Sequence, residues 1–404
     1  MNFIKFKKFK GAKMAFSLWC DFIEKDFIEN DFVSMIKSGK ITGATTNPAI
    51  FKSAFEKESY KNSISSYMEK KPASKVYELL CANDVKMAAY KLLTNYANGE
   101  DGFISIEIEP NHFDDGVLSI KEGKRLFNLI KMPNVMIKIP ASEQGIYAIK
   151  ELVKRGINVN ATLVFSIEQV RACLQAFEKG LSAYRKRFAN AREPECVISV
   201  FVSRFDRELG EQLKAAGLDP MKYGIYNACR AYKEVEAFGL PNVRALFAST
   251  GVKGGNAPAD YYIKELAFEH SINTAPLDAL NAVNGEIKII TPPSGELIDG
   301  YFAKAKDADI DYDRVCKKLF NDGINAFKAA YASSLETLST RLKSPNPTSS
   351  TDDLAKSLEN SGTKNSKKQS KHFKYSDNPA KLAAQLENSS SSKKDKNFKQ
   401  AKKS

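Results

Sequence analysis

A lysine stands inside an apolar run, Val135-Met-Ile-Lys-Ile-Pro140. Strand alternation sends Ile137 and Ile139 to one face and Lys138 to the other, toward the interior of the sheet that holds it. Loss of hydration there disfavours an ammonium and favours the neutral amine, the form that adds to a carbonyl. Carboxylates stand at the ends of other such runs. Asp21 closes Ser17–Cys20, and Glu107 and Glu109 lie two apart on a third run, facing one side. Near a lysine they could shuttle protons or serve as plain ion-pair partners, and the lysine could equally snorkel to the surface. Thr45-Thr-Asn-Pro48 ends a strand and turns into a helix, which is also ordinary turn chemistry.

The rest of the composition narrows the chemistry. Three histidines, His112, His270 and His372, have no metal-ligand spacing to a second His or Cys, so no metal site is expected. Six scattered cysteines without a C-x-x-C pair fit reduced, buried thiols better than a disulfide framework. No apolar run approaches the ~18 residues of a membrane span. The apolar stretch at Ala15–Cys20 is too short for a signal peptide, so a cytoplasmic location is expected.

The net charge of +13 is concentrated at the ends. Residues 1–13 hold five lysines and no acid, and residues 344–404 hold thirteen lysines against six acids, which leaves the body near neutral. Three segments follow: a basic leader over 1–13, a catalytic body over 14–343, and a Lys/Ser-rich tail over 344–404. The tail has too little apolar content to join a core and is expected to be disordered, with polyanions or an unidentified protein as partners. It carries one imperfect repeat, Leu354-Ala-Lys-Ser-Leu-Glu-Asn-Ser361 and Leu382-Ala-Ala-Gln-Leu-Glu-Asn-Ser389. A duplicated helix-prone patch and a docking element both account for it.

The body alternates strand-like runs with helix-period segments. The runs are Ser17–Cys20, Ala44–Thr46, Phe103–Ile108, Val135–Ile139, Val159–Phe165, Cys196–Val202 and Arg244–Ala248, with an eighth around Ser271–Thr274. After the fourth, Ile146, Ile149, Leu152 and Val153 share a helical face, with Ser142 placed to cap and Gly156 to end it. The next helix opens with the capping-box pattern Ser166-x-x-Gln169 and is expected to stop at Gly180. About eight strand–helix units predict an α/β fold, a (β/α)8 TIM-type barrel with additional helices. An open doubly wound sheet is the competitor. No G-x-G-x-x-G follows any strand, which lowers a dinucleotide site. In a barrel, chemistry gathers at the carboxyl ends of strands, where Asp21, Asn47, Glu107, Lys138, Asn160 and Arg204 fall on different runs.

These segments together resemble the transaldolase family. The resemblance rests on Ser17-Leu-Trp-Cys-Asp21, Gly43-Ala-Thr-Thr-Asn-Pro-Ala-Ile50, Ile104-Ser-Ile-Glu107 and Ile137-Lys-Ile-Pro-Ala-Ser-Glu-Gln-Gly145. It continues through Gly156–Ser166, Ile198–Arg204, Ala248–Lys253, Tyr261–Leu266 and Ser271–Thr274. It implies Lys138 as Schiff-base lysine, Asp21 as acid/base in carbon–carbon cleavage, and Glu107 acting through a water held partly by Thr162. It further implies Asn47, Asn160 and Ser199 as hydrogen-bonding partners of a three-carbon enamine, with Thr45 shaping that pocket. Arg204 and Ser249 resemble phosphate ligands. A second arginine of the best-known branch is replaced here by Gly251, and Lys253 is the candidate to supply its charge.

The resemblance implies sugar-phosphate substrates, no cofactor, and a homodimer as one arrangement. Donors would be sedoheptulose 7-phosphate or fructose 6-phosphate, and acceptors glyceraldehyde 3-phosphate or erythrose 4-phosphate. Fructose-6-phosphate aldolases of the same superfamily typically carry Gln and Tyr where this chain has Glu107 and Phe201, so the transaldolase branch is favoured.

Overall fold

The computed structural model describes residues 16–67 and 71–343. Eight parallel strands close into a barrel in chain order. They are β1 Ser17–Cys20, β2 Gly43–Thr45, β3 Ile104–Glu107, β4 Val135–Pro140, β5 Asn158–Val164, β6 Cys196–Phe201, β7 Val243–Ala248 and β8 Ile272–Ala275. Pairing of β8 with β1 decides for the barrel over the open sheet. Each expected run is a strand, with its ends moved by no more than one residue. The expected leader and the tail with its repeat lie outside the described residues.

The barrel is filled in two zones, which period-two alternation explains. Trp19, Phe103, Met136, Val197, Leu246 and Ile272, one from each of six walls, pack into a single apolar cluster. Two positions further along the same walls come Asp21, Ser105, Lys138, Ser199 and Thr274. The apolar layer is thus the floor on which the polar residues stand. Gly43 is required by this packing, because a Cβ there would lie 2.5 Å from the Trp19 ring. Beneath it, buried Arg244 pairs with Asp101 and donates to Ser17 Oγ at 2.7 Å. Asp101 also accepts from Trp19 Nε1 at 3.0 Å and Thr42 Oγ1 at 2.9 Å, closing the amino-terminal end.

The helices follow the expected start signals more closely than the stop signals. Ser142 Oγ accepts from Gly145 N at 2.9 Å and opens helix Glu143–Val153, and Gly156 follows its end with φ +80°. Ser166 and Gln169 form the reciprocal capping box of helix Ile167–Arg187. That helix does not stop at Gly180, which corrects the expectation. A Cβ at Gly180 would fall 2.9 Å from Lys150 O and from Val153, so glycine there permits close helix packing. The last described helix, Tyr312–Lys343, spans 32 residues. It touches helix Pro48–Phe55, the turn Pro110–His112, β5 and helix Ser203–Ala215, and so crosses the carboxyl-terminal end of the barrel.

All six cysteines are buried and free. Among the described residues, no helix is long and apolar enough to cross a membrane, and no cluster of His, Cys, Asp or Glu suits a metal ion.

Candidate active site

Strand register assembles the centre of the site. Glu107 on β3 stands beside Lys138 on β4, and Lys138 beside Asn160 on β5, so the three share one rung of the barrel wall. Lys138 Nζ lies 3.1 Å from Glu107 Oε1, with both side chains only 6% exposed. It donates to the backbone oxygen of Thr46 at 2.8 Å, which ties the lysine to the Thr-Thr-Asn-Pro turn. Neither Glu107 oxygen accepts an aligned hydrogen bond from a described residue, and the buried Thr162 hydroxyl has no partner either. Buried polar groups are ordinarily satisfied, so these atoms call for a local explanation. Burial pushes the Glu107 carboxyl from an ordinary 4.5 up to about 7, against the pull of Lys138.

Asp21, the next residue after β1, occupies a different electrostatic setting. Thr45 Oγ1 donates to its Oδ1 at 2.7 Å and Asn47 Nδ2 approaches its Oδ2 at 3.5 Å. Thr45 has one proton, so the 2.6 Å contact with Thr274 makes Thr274 the donor to Thr45. Protein atoms crowd Asp21 although part of its surface reaches solvent. This desolvation raises its carboxyl above the ordinary range, opposed by Lys138, Thr45 and Asn47. Asn47 also caps helix Pro48–Phe55, accepting from Ala49 N and Ile50 N with Pro48 in the first turn. One asparagine therefore anchors a helix with its oxygen and faces Asp21 with its nitrogen.

The remaining wall carries an ordered polar chain. Ser199 Oγ donates to Asn160 Oδ1 at 2.6 Å, and Asn160 Nδ2 donates to Ser105 Oγ at 3.0 Å. Beyond β6, Arg204 lies in the first turn of helix Ser203–Ala215, its guanidinium 5.1 Å from the Phe201 ring centre. No described carboxylate forms an ion pair with it, and burial, then the charge of Arg207, lowers its pKa. Ser249 follows β7 with φ +55°, its hydroxyl 3.0 Å from that of Ser203. Lys253 is exposed in the loop beyond, and no described contact joins it to Arg204 or Ser249.

Glu109 lies two residues past the end of β3, off the strand, and lines the same cleft as Glu107. Glu109 accepts from Asn111 Nδ2 at 3.0 Å, and its own N–H donates to Glu122 Oε1 at 3.0 Å. It lines a cleft with Glu78, Arg125, Tyr77 and Tyr331, between the end of β3 and helices Ala73–Lys91 and Gly116–Ile130. Ser105, Thr274 and Ser203 are site residues that sequence reading missed. Alternation backward from Glu107 would have pointed to Ser105. Polar residues at strand ends are too common for Thr274 to have been singled out.

The assembled groups are a buried amine, two carboxylates raised by burial, and a polar cradle leading to an unpaired guanidinium. Such a set suits carbonyl addition and proton transfer on an anionic substrate. The family model described as Transaldolase/Fructose-6-phosphate aldolase matches residues 18–338. A transaldolase of Campylobacter jejuni subsp. doylei is 45% identical over 332 residues, covering 80% of this chain and 99% of the relative. A transaldolase of Helicobacter pylori strain Shi470 is 42% identical over 320 residues, covering 78% and 97% respectively.

Proposed function

The chain belongs to the transaldolase/fructose-6-phosphate aldolase family, and within it we propose that it moves a dihydroxyacetone unit from a ketose phosphate to an aldose phosphate through a Schiff base on Lys138. The observation that carries this reading is the buried pair of Lys138 Nζ and Glu107 Oε1 at 3.1 Å, whose lysine charge also acts on Asp21. In the proposed cycle the Lys138 amine adds to the donor's C2 carbonyl. Glu107 then protonates the carbinolamine hydroxyl, which leaves as water, giving the iminium. Asp21 takes the proton of the C4 hydroxyl as the C3–C4 bond breaks. The bond's electron pair moves into the iminium, leaving an enamine on Lys138 and a free aldose phosphate. The enamine attacks the carbonyl of a second aldose phosphate, Asp21 returns its proton to the new C4 oxygen, and water directed by Glu107 and Thr162 hydrolyses the new iminium. The iminium itself is the electron sink, so the balance closes without a redox partner.

Asn47, Asn160 and Ser199 would hold the hydroxyls of the bound three-carbon unit, with Thr45 fixing Asp21 beside it. Arg204 and Ser249 would take the phosphate, because a guanidinium offers a two-pronged donor that suits phosphate oxygens. Lys253 would add charge at the rim. Fructose 6-phosphate and sedoheptulose 7-phosphate are the proposed donors. Glyceraldehyde 3-phosphate and erythrose 4-phosphate are the acceptors. Buried free thiols support a reducing compartment, the cytoplasm.

Borohydride reduction in the presence of fructose 6-phosphate tests the assignment. One reduced three-carbon unit should map to the peptide containing Lys138 and vanish in Lys138→Ala. Label on Lys131 or Lys150 would overturn it. Release of dihydroxyacetone as fast without an aldose acceptor as with one would make the enzyme an aldolase instead.

A further inference from the structure

Glycine is the poorest helix former after proline, and its place inside a long helix calls for a local reason. Gly323 is buried within helix Tyr312–Lys343 where that helix crosses the barrel top. A Cβ at this position would lie 2.8 Å from Leu163 Cδ2 and 3.1 Å from Arg204 Nη1. Leu163 has little freedom to retreat. It is fully buried, has φ +54°, and sits in the irregular stretch of β5 between Ala161 and Val164. Arg204 is also confined, with the Phe201 ring beside its guanidinium. The nearby acids are engaged elsewhere, since Asp322 and Glu208 both pair with Lys318 at 2.9 Å. The helix thus presents a bare glycine toward the guanidinium, and its Asp322 acts on Arg204 through charge alone, without an ion pair among the described residues.

We propose that Gly323 is a positioning residue for phosphate recognition: its missing side chain lets the carboxyl-terminal helix seat the Arg204 guanidinium at the height where it meets the substrate's phosphate monoester. The proposal rests on Arg204 being the phosphate ligand. Two-pronged hydrogen bonding is sensitive to displacement, so a shift of a few tenths of an ångström weakens phosphate binding while leaving Lys138 undisturbed.

The test measures competitive inhibition by inorganic phosphate, together with KM and kcat for fructose 6-phosphate and for unphosphorylated fructose. Gly323→Ala should raise the phosphate inhibition constant and the KM for fructose 6-phosphate about tenfold, the scale of one weakened charge-assisted hydrogen bond. The constants for fructose should not move. In an Arg204→Gln background the same substitution should add nothing, because both changes act on one contact. Gly300→Ala, on helix Gly295–Asp307 with nothing within 4 Å of the new methyl, controls for helix propensity alone. If Gly323→Ala does not fold, Leu163→Ala/Gly323→Ala relieves the tighter contact and keeps that to Arg204, measured against Leu163→Ala alone. Arg204→Gln that weakens phosphate while Gly323→Ala does not would overturn the proposal and leave the Arg204 assignment standing. Equal loss with both sugars, or loss that persists without Arg204, would reduce Gly323 to packing. Unchanged phosphate binding in Arg204→Gln would remove the assignment and the proposal together.

Discussion

Glu107→Gln keeps the shape of the side chain beside Lys138 and removes its titration. The Glu107 carboxyl is pushed from 4.5 up to about 7 by burial, with the Lys138 attraction already included. A carboxyl whose pKa is raised in the folded state binds a proton on folding between the two values. Its favourable contribution is therefore fully present below the unfolded value and is lost as pH rises through the folded one. At about 1.36 kcal/mol per pH unit, the span from 4.5 to about 7 corresponds to about 3 kcal/mol. Glutamine contributes no such slope. The stability of the wild type minus that of Glu107→Gln should thus fall by about 3 kcal/mol across this window and level off above it. Urea denaturation at several pH values from about 5 to 8 reads the difference. Turnover of the variant should drop by about 10²–10⁴-fold, the range for lost acid–base assistance. A stability difference that is flat or grows over the window would refute the reasoning, because Glu107 would then already be ionised as an ordinary partner of Lys138.

Asp101→Ala strips buried Arg244 of its carboxylate and leaves Trp19 Nε1 and Thr42 Oγ1 without their acceptor. It should cost about 3–5 kcal/mol in denaturation midpoint measurements, with KM of the folded enzyme unchanged. Gly145→Ala would place a Cβ 1.9 Å from Pro140 O, a backbone atom with no room to yield. A loss of at least about 3 kcal/mol and a fall in turnover should follow, since Pro140 is two residues from Lys138. Thr45→Val removes the 2.7 Å hydrogen bond to Asp21 and should raise the Asp21 carboxyl further. The acid limb of single-turnover bond cleavage should move upward while Schiff-base trapping keeps its profile. Deleting residues 344–404 lowers the net charge from +13 to +6. It should weaken heparin binding, itself steeply salt-dependent, and leave melting temperature and turnover unchanged.

The parts of the fold legible in the sequence were those set by alternation and capping. Strands buried on both faces read as short apolar runs, and polar intrusions such as Lys138 stood out against them. The Ser166–Gln169 box was legible because its partners are three residues apart. Gly180 was misread as a stop because a glycine inside a helix and one ending it look alike without the neighbouring helix. That Glu109 falls outside the strand is not legible locally, because a strand's end depends on where its partner strands stop pairing. The Arg244–Asp101 pair joins positions 143 residues apart, a distance across which no local pattern carries information. Gly323 and Arg204 meet in the same way, through the return of the last helix over the barrel.

The charge of one lysine acts on two carboxylates, and their surroundings fit different tasks in the proposed cycle. Asp21 has the Thr45 hydroxyl and the Asn47 amide pointed at its oxygens, groups that favour the charged form and oppose the effect of burial. Such a carboxylate suits taking the substrate hydroxyl proton as the carbon–carbon bond breaks. Glu107 has no hydrogen-bond donor of this kind beyond the ammonium at 3.1 Å, and its carboxyl rises to about 7. Near neutral pH it is divided between acid and base forms. That suits a group which must donate a proton to expel water and later accept one to hydrolyse the iminium. The asymmetry follows from strand position. Asp21 lies past the end of β1, beside the turn that supplies Thr45 and Asn47. Glu107 is still on its strand, where its neighbours in register are Lys138 and, beyond it, Asn160. Asn160 donates from Nδ2 to Ser105 Oγ and accepts at Oδ1 from Ser199 Oγ, and no described hydrogen bond joins it to Glu107. Both carboxyls are raised by burial, and what differs between them is the set of donors that the barrel's polar upper rung places around each.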